Sequence, residues 1–404
     1  MWSVGAFRVD VVLISPTLFK LQLSIHGNVV DCRCYQCQNH RYQQQTAQTR
    51  LHGVILPPIA AEIKPAMCKI ALHTQNERDK THFRGLYNPY MHYTPYTLYP
   101  IGAMSARAAA QPREGVLLRG DNGGYACLQP WTELGDSPLE YELDALRDGN
   151  PLRLGQRALK CIEIDGEARA KGINLFDGLS VPRSHATLTV STTPSQVYNL
   201  HQRGFRVGKL KVIPKLASTV ERLVNLASMV PEWKWRVDFN CTLSPDDALK
   251  FWDMLPPAMR ERIDFIEDPC YYDVEVWQKL QDAGIPLGYD MPVQNESIIP
   301  QRTNKPMMRI VKPARHHSTT GLPVFTTYMD HPLGQCWAAY NAAVFYSDKP
   351  ADEVPLCGLV SHHVYRPNPF SEELGMNVTP DFNAPSGTGL GFDKLLASLP
   401  WRTL

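Results

Sequence analysis

The chain has 404 residues, a formal net charge of +1 and 44% hydrophobic residues. Such a balance gives no electrostatic case for nucleic acid or an anionic membrane as partner, and no run approaches the roughly 18–20 apolar residues that span a bilayer. The length suits one large domain plus a smaller one, and the six cysteines from Cys127 to Cys357 are scattered without paired spacing, as expected in a reducing cytoplasm.

In residues 1–90 neither a 3.6 nor a 2.0 apolar period holds for long, so no element is assigned there. The stretch VDVVLISPTLF is broken by Pro16 and lacks a small-residue cleavage site, so no signal peptide is expected. Cys32, Cys34, Cys37 and His40 in CRCYQCQNH have a spacing unlike a standard zinc knuckle, and no second pair follows, so zinc is not expected. From Arg113 the pattern becomes orderly. EGVLLR reads as a strand, DNGG as a tight turn and YACLQPW as a second strand. PLEYELDALRDG and RLGQRALKCIEIDGEARAKG read as helices, the first ending at Gly149. Together these form a small α+β unit over residues 91–185.

Strands and helices then alternate. ATLTVS and GKLKVIP are strands, KLASTVERLVNLASMV is a helix, and KWRVDFN is a strand. The next helix opens with SPDD, where Ser244 can cap and Pro245 fits the first turn. IDFIEDP, IPLGYD, MMRIVKP and PVFTTY follow as strands, with helices at VEVWQKLQDAG and PLGQCWAAYNAAVFY. Apolar strands alternating with helices predict a parallel sheet, and so many units predict a closed β/α barrel over residues 186–379.

An active site in that fold lies where strands end in βα loops. The strands deliver there Lys209 and Lys211, Asp238 and Asn240, Glu267, Asp290, then Lys312. Three carboxylates converging from consecutive strands cannot all stay ionised in a partly dry cleft without a cation. Their hard oxygens suit Mg²⁺ or Mn²⁺. Any one of these acids alone would more simply cap a helix or meet a surface lysine; three in register with lysines on either side point to a metal site. A metal-bound carboxylate substrate becomes acidic at its α-carbon. Lys211 is then expected to be the base, with Lys209 the neighbouring cation that tunes it. Lys312, from the opposite side of the barrel, can face the other side of the intermediate. Without the acids, KLK alone would read equally well as two snorkelling lysines on an edge strand.

With KLK at 209–211, DFN at 238–240, IEDP at 266–269, GYD at 288–290 and VKP at 311–313, the sequence from about Tyr90 resembles the enolase superfamily, muconate-lactonizing subgroup. REGVLLR, QPWTELGD, YMDHPLGQ and GTGLGFDKLLASLPW bring it nearest to the o-succinylbenzoate synthases of menaquinone biosynthesis. The resemblance implies a modified (β/α)7β TIM-type barrel under an α+β capping domain that residues 380–404 complete. It implies a Mg²⁺-dependent carbon–oxygen lyase acting on a small carboxylate: syn elimination of water from 2-succinyl-6-hydroxy-2,4-cyclohexadiene-1-carboxylate. The lysine at 211 would take the α-proton and return it to the leaving hydroxide. The lysine at 312 would stabilise the enediolate, and Asp238, Glu267 and Asp290 would hold the metal. Asn240 would support the ligands, and Arg236, one pleat earlier, would either orient the site or only pair a nearby carboxylate. Thr327, Tyr328 and Gly358 fall near the positions that meet the succinyl arm, and Trp131 in a loop that closes the pocket. The bland alternatives are a strand hydroxyl for Thr327, a core aromatic for Tyr328 and packing within the cap for Trp131. His316 and His317 are read as solvated.

The resemblance stops upstream of Tyr90. Residues 1–90 are therefore expected to be an unassigned extension, disordered or not native, with translation starting at Met91. Two other functions stay open. An N-succinylamino acid racemase or dipeptide epimerase on the same barrel would use Lys211 and Lys312 on the two faces of the α-carbon. A non-catalytic barrel with an N-terminal metal-binding module would show a damaged charge set, whereas all five strand-end positions are intact.

Overall fold

The computed structural model describes residues 91–102, 104, 110–290, 307–316 and 322–404, together with the backbone of three strands within residues 8–35. The chain divides into two units, residues 1–79 and 80–404. In the first, β1 (Arg8–Ser15), β2 (Leu18–Ile25) and β3 (Asn28–Tyr35) form an antiparallel sheet in the order β1-β2-β3. The sequence reading assigns no element here. The missed signal is the alternation in β2, with Leu21, Leu23 and Ile25 set between Lys20, Gln22 and Ser24. Cys37 and His40, and the side chains of Cys32 and Cys34, lie outside the described residues, as does His317.

The second unit opens with an antiparallel sheet of β4 (His92–Leu98), β5 (Arg113–Arg119) and β6 (Tyr125–Leu128). Helices Leu139–Arg147 and Arg153–Ala170 follow. Gly149 at φ 67° stands in the left-handed region just past the first of them, where a residue without Cβ costs least. The longer helix packs on the sheet: Asp165 Oδ2 accepts from Tyr125 N at 2.8 Å.

Seven parallel strands come next: β7 (Ala186–Leu188), β8 (Val207–Lys211), β9 (Lys234–Asp238), β10 (Ile263–Glu267), β11 (Leu287–Tyr289), β12 (Met308–Val311) and β13 (Val324–Phe325). Each pairs with the next in chain order. The ring closes through one further segment. Gly358 pairs in parallel with Thr326 beyond β13, and Cys357 pairs with Ser184 ahead of β7. The result is a curled parallel sheet with a capping domain: the strand–helix alternation predicts the barrel, and the family resemblance implies its (β/α)7β form and the cap. The chain's end returns to the cap, where β14 (Arg402–Thr403) adds to β4.

The helix-forming signals act locally. Ser244 caps Pro245–Met254 by accepting from Asp247 N at 3.1 Å. The sequence reading passes over helix Pro194–Gln202, although Thr193 and Gln196 form a capping box whose Thr-x-x-Gln spacing is visible in the sequence. Between strands and helices lies a core with Trp233, Trp235 and Phe251 fully buried. A separate small cluster of Phe265, Ile310 and Val324 is contributed by β10, β12 and β13. Among the described residues no helix is long and apolar enough to cross a membrane.

Candidate active site

The parallel register puts chemistry on one level. Lys211 is opposite Asp238, Asp238 is opposite Glu267, and Glu267 is opposite Gly288, so Asp290 rises one pleat beyond. Lys312 follows the last residue of β12. The ends of these strands are covered, and the six charged residues are only 0 to 7% exposed. Buried charges survive only when compensated. Lys209 Nζ donates to Glu267 Oε1 at 2.6 Å and lies 3.2 Å from Asp238 Oδ2. Lys211 Nζ donates to Asp238 Oδ2 at 2.9 Å, and Lys312 Nζ donates to Asp290 Oδ2. Three ammonium groups thus face three carboxylates.

Their proton affinities diverge. Burial alone would lower the Lys209 amine, but Asp238, Glu267 and Asp290 outweigh it and raise it. Burial pushes the Lys211 amine down, and Lys209 and Lys312 push with it against the pull of Asp238. Burial opposes ionisation of Asp238 and Asp290 too, yet the adjacent lysines hold both carboxyls below the usual range. Glu267 is raised by burial, which Lys209 only partly offsets. Asp268, its neighbour, is pushed well up by burial and by Asp290, Glu267 and Asp238.

Among the described residues no three acidic, histidine or cysteine side chains are already gathered at ligation distance of one ion. The amines hold oxygens of all three carboxylates instead. The donor set nevertheless fits a hard divalent cation. Glu267 Oε2 and Asn240 Oδ1 are buried without a hydrogen-bond partner among the described residues, a costly state that an oxygen-seeking cation would relieve. Asn240 also donates its backbone N–H to Asp238 Oδ1 at 3.1 Å. Backbone strain collects here as well: Asn240, Cys241, Asp268 and Met329 all adopt positive φ at strand ends.

Lys209, Lys211, Asn240 and Lys312 line one cavity with an empty volume of about 520 Å³. Thr327, Tyr328 and Gly358 from the late strands share its wall, and Trp131 comes in from the cap. The Thr327 hydroxyl is engaged with Ser361 Oγ at 2.7 Å. Trp131 does more than pack within the cap: its Nε1 donates to Tyr328 O at 2.9 Å. Two residues the sequence reading overlooked complete this junction. Asp136 accepts from Trp131 N at 2.8 Å and from the Tyr328 hydroxyl at 2.5 Å. Arg315 Nη2 lies 3.3 Å from the other oxygen of Asp136. Asp136 ends QPWTELGD, but its partner Arg315 lies far along the chain, so nothing local in the sequence announces the pair.

Arg236 pairs a nearby carboxylate and also reaches His185, which lines the cavity. Its Nε donates to Asp264 Oδ2 at 2.7 Å, and Nη1 donates to Leu356 O and to His185 Nδ1, each at 2.8 Å. It does not bond the strand-end carboxylates. The solvated reading of His316 is corrected: Nδ1 is buried without a partner among the described residues, and burial pushes the imidazole down to about 3. The six cysteines from Cys127 to Cys357 are all free thiols.

Comparison with known proteins fits this arrangement. The family model described as O-succinylbenzoate synthase, N-terminal domain, matches residues 91–168, and that described as Enolase C-terminal domain-like matches residues 194–322. The chain is 30% identical over 331 residues to the o-succinylbenzoate synthase of Bdellovibrio bacteriovorus, covering 77% of this chain and 98% of that one. Among solved structures it is similar to a dipeptide epimerase from Enterococcus faecalis complexed with Mg and L-Leu-L-Tyr, at TM-score 0.58 and 13% identity, covering 75% of this chain and 98% of that one. It is equally similar, at TM-score 0.58 and 14% identity, to a muconate lactonizing enzyme from Mycobacterium smegmatis complexed with muconolactone, covering 77% and 98%.

Proposed function

The chain belongs to the o-succinylbenzoate synthase family of the enolase superfamily, and we propose that it is a magnesium-dependent carbon–oxygen lyase. Its reaction would convert 2-succinyl-6-hydroxy-2,4-cyclohexadiene-1-carboxylate to 2-succinylbenzoate by syn loss of water. The observation that carries the reading is that Lys209, Lys211 and Lys312, which line one cavity with Trp131 of the cap, are each paired to one or more of the buried carboxylates Asp238, Glu267 and Asp290.

Asp238, Glu267 and Asp290 would hold the divalent cation, with Asn240 beside them. When bound, that ion neutralises the substrate carboxylate and makes the adjoining C–H acidic. Lys211 is poised to take the proton, because its amine is the one that burial and two neighbouring cations push towards neutrality. Charge balance favours this step. The lysines and the strand-end carboxylates number three each, and burial with its acidic neighbours pushes the Asp268 carboxyl well up. A divalent cation plus one carboxylate adds a single positive charge, which loss of one ammonium proton cancels. Lys211 Nζ would remove the α-proton, and the electron pair would shift towards the ring to expel hydroxide from the same face. The proton would then pass from Lys211 to that hydroxide, leaving water and an aromatic ring. Lys209 keeps its charge and with it the pressure on Lys211. Lys312 comes from β12, four strands round the barrel from β8, and would oppose negative charge on the far side of the substrate.

A racemase or epimerase is the second reading, supported by the two lysines lining one cavity from strands four apart in the sheet order. Turnover assays with Mg²⁺ separate the two. Ultraviolet growth of the aromatic product supports the lyase; deuterium uptake into an N-succinylamino acid or dipeptide without aromatic product supports the rival. Lys211→Ala should lower lyase turnover by roughly 10²- to 10⁴-fold or more. Wild-type turnover in that variant would remove Lys211 from the mechanism.

A further inference from the structure

We infer that His185 is a specificity residue, presenting a fixed Nε2–H donor to an acceptor oxygen on the substrate's side arm, and that Arg236 is the positioning residue that sets its tautomer. This deepens the lyase reading and rests on it.

His185 stands just ahead of β7, where its backbone N–H donates to Cys357 O at 2.7 Å across the barrel seam. Its side chain lies on the same face as Thr187, two residues on, and both line the cavity that holds the lysines. Arg236 Nη1 is 2.8 Å from His185 Nδ1. A guanidinium can only donate, so Nδ1 must be the unprotonated acceptor. In the neutral ring the proton therefore sits on Nε2. Burial, then Arg236, Lys209 and Lys211, all disfavour a second proton. The guanidinium is itself immobilised by Asp264, by Leu356 O and by the Phe265 ring, whose centroid is 4.8 Å away.

Nε2 has no hydrogen-bond partner among the described residues, so the donor is left for something else. The ring edge that bears it fits against Gly358, where a Cβ would come 2.7 Å from Nε2 and 2.6 Å from Cε1. Glycine at 358 is thus what allows the imidazole to reach the wall. Thr326 also lines the cavity: its Cγ2 would lie 2.9 Å from the same Cβ, and its Oγ1 is buried without a partner among the described residues. Two uncommitted polar atoms on residues of one cavity lining suit a carbonyl or carboxylate oxygen rather than a hydrocarbon tail. An uncharged donor here adds discrimination without adding to the three cations already present.

The test compares wild type with His185→Leu, His185→Gln and Arg236→Lys in the presence of Mg²⁺. Calorimetry would measure affinity for 2-succinylbenzoate and for 2-butylbenzoate, whose arm has no acceptor oxygen. The leucine variant should bind 2-succinylbenzoate about 10- to 100-fold more weakly while keeping its affinity for 2-butylbenzoate. In turnover, KM should rise by a similar factor with kcat changed only a few-fold. Glutamine can place an amide N–H near the Nε2 position and should restore most of the loss; Arg236→Lys should show a part of it. Equal weakening of both ligands, or no weakening of either, overturns the assignment. Wild-type protein that forms no aromatic product overturns the lyase reading instead, and the histidine is then judged by its ¹⁵N resonances: Nε2–H with bare Nδ1 supports the assignment, and a protonated Nδ1 ends it.

Discussion

The capping domain and the barrel each bury a network of charges, and the two networks are finished differently. In the cap, Arg169 donates to Asp165 Oδ2 at 2.6 Å, to Asp393 Oδ1 at 2.5 Å and to Gly391 O at 2.9 Å, and its guanidinium lies 4.7 Å from the Tyr125 ring centroid. Asp165 also accepts backbone N–H groups from Tyr125 and Leu390. That set is closed. In the barrel, ion pairs are as short, yet Glu267 Oε2, Asn240 Oδ1 and Thr326 Oγ1 are left without partners among the described residues. Burial is common to both networks, so burial does not mark function. Incomplete satisfaction separates these two networks, although it is not confined to them, since Arg222 Nε and Trp235 Nε1 are also buried without partners among the described residues; it costs stability in the free protein and is relieved when something binds.

The comparison breaks most sharply at Glu267. Glu267→Gln should lower kcat/KM by roughly 10³-fold or more if Glu267 is, as proposed, a ligand to the divalent ion. The same variant should melt, without divalent ions, within a few degrees of wild type, because it removes a charge that was poorly compensated. Thermal scans with and without Mg²⁺ would check both halves; a large loss of stability without the ion would mean that the barrel network is structural after all. Arg169→Met should do the reverse. It strands Asp165 in the interior and should cost about 3–5 kcal/mol, read as a lower denaturant midpoint with metal affinity intact in the protein that remains folded.

Glu142 sharpens the contrast within the cap. It accepts only from Gly155 N, at 3.3 Å, and burial pushes its carboxyl up to about 7. Its unfolded pKa is about 4.3, so between these values the native state binds the extra proton and stability falls as pH rises. Below the window the native form suffers no penalty; above it the penalty is complete. Glu142→Gln should therefore stabilise the protein by about 1–3 kcal/mol at pH 8 and leave it nearly unchanged at pH 4, as paired melting curves would show. The smallest expected effect is at the junction. Asp136→Asn leaves the buried Arg315 without its charged partner and should raise KM by a few-fold to tenfold with a modest fall in melting temperature; a change in stability with KM unmoved would make Asp136 part of the core rather than of the closure.

The strand-end residues were legible because each lies within a short segment whose own pattern reveals it. Lys209 and Lys211 share a face by the period of a strand, and Asp238 and Glu267 end the short strands KWRVD and IDFIE. Ser244 was legible as a cap for the same local reason. The helix at 194–202 carried a readable capping box and was still missed, since its apolar stripe is reduced to Val197 and Leu200. Arg236 could be placed on the right face but not given its partners, because Asp264, His185 and Leu356 reach it from three other strands or loops.

What the sequence determined by itself was the alternation of strands and helices and the set of charged residues presented at the strand ends, since both follow from side-chain periodicity along one segment. Only the folded chain decided which oxygens are claimed by lysines and which are left open. It also decided that Cys357 and Gly358 close the ring beside Ser184 and Thr326, and that His185 meets Arg236. Those outcomes depend on distances between segments far apart in the chain, and a hydrogen bond's length and direction are set by packing rather than by the identity of either partner.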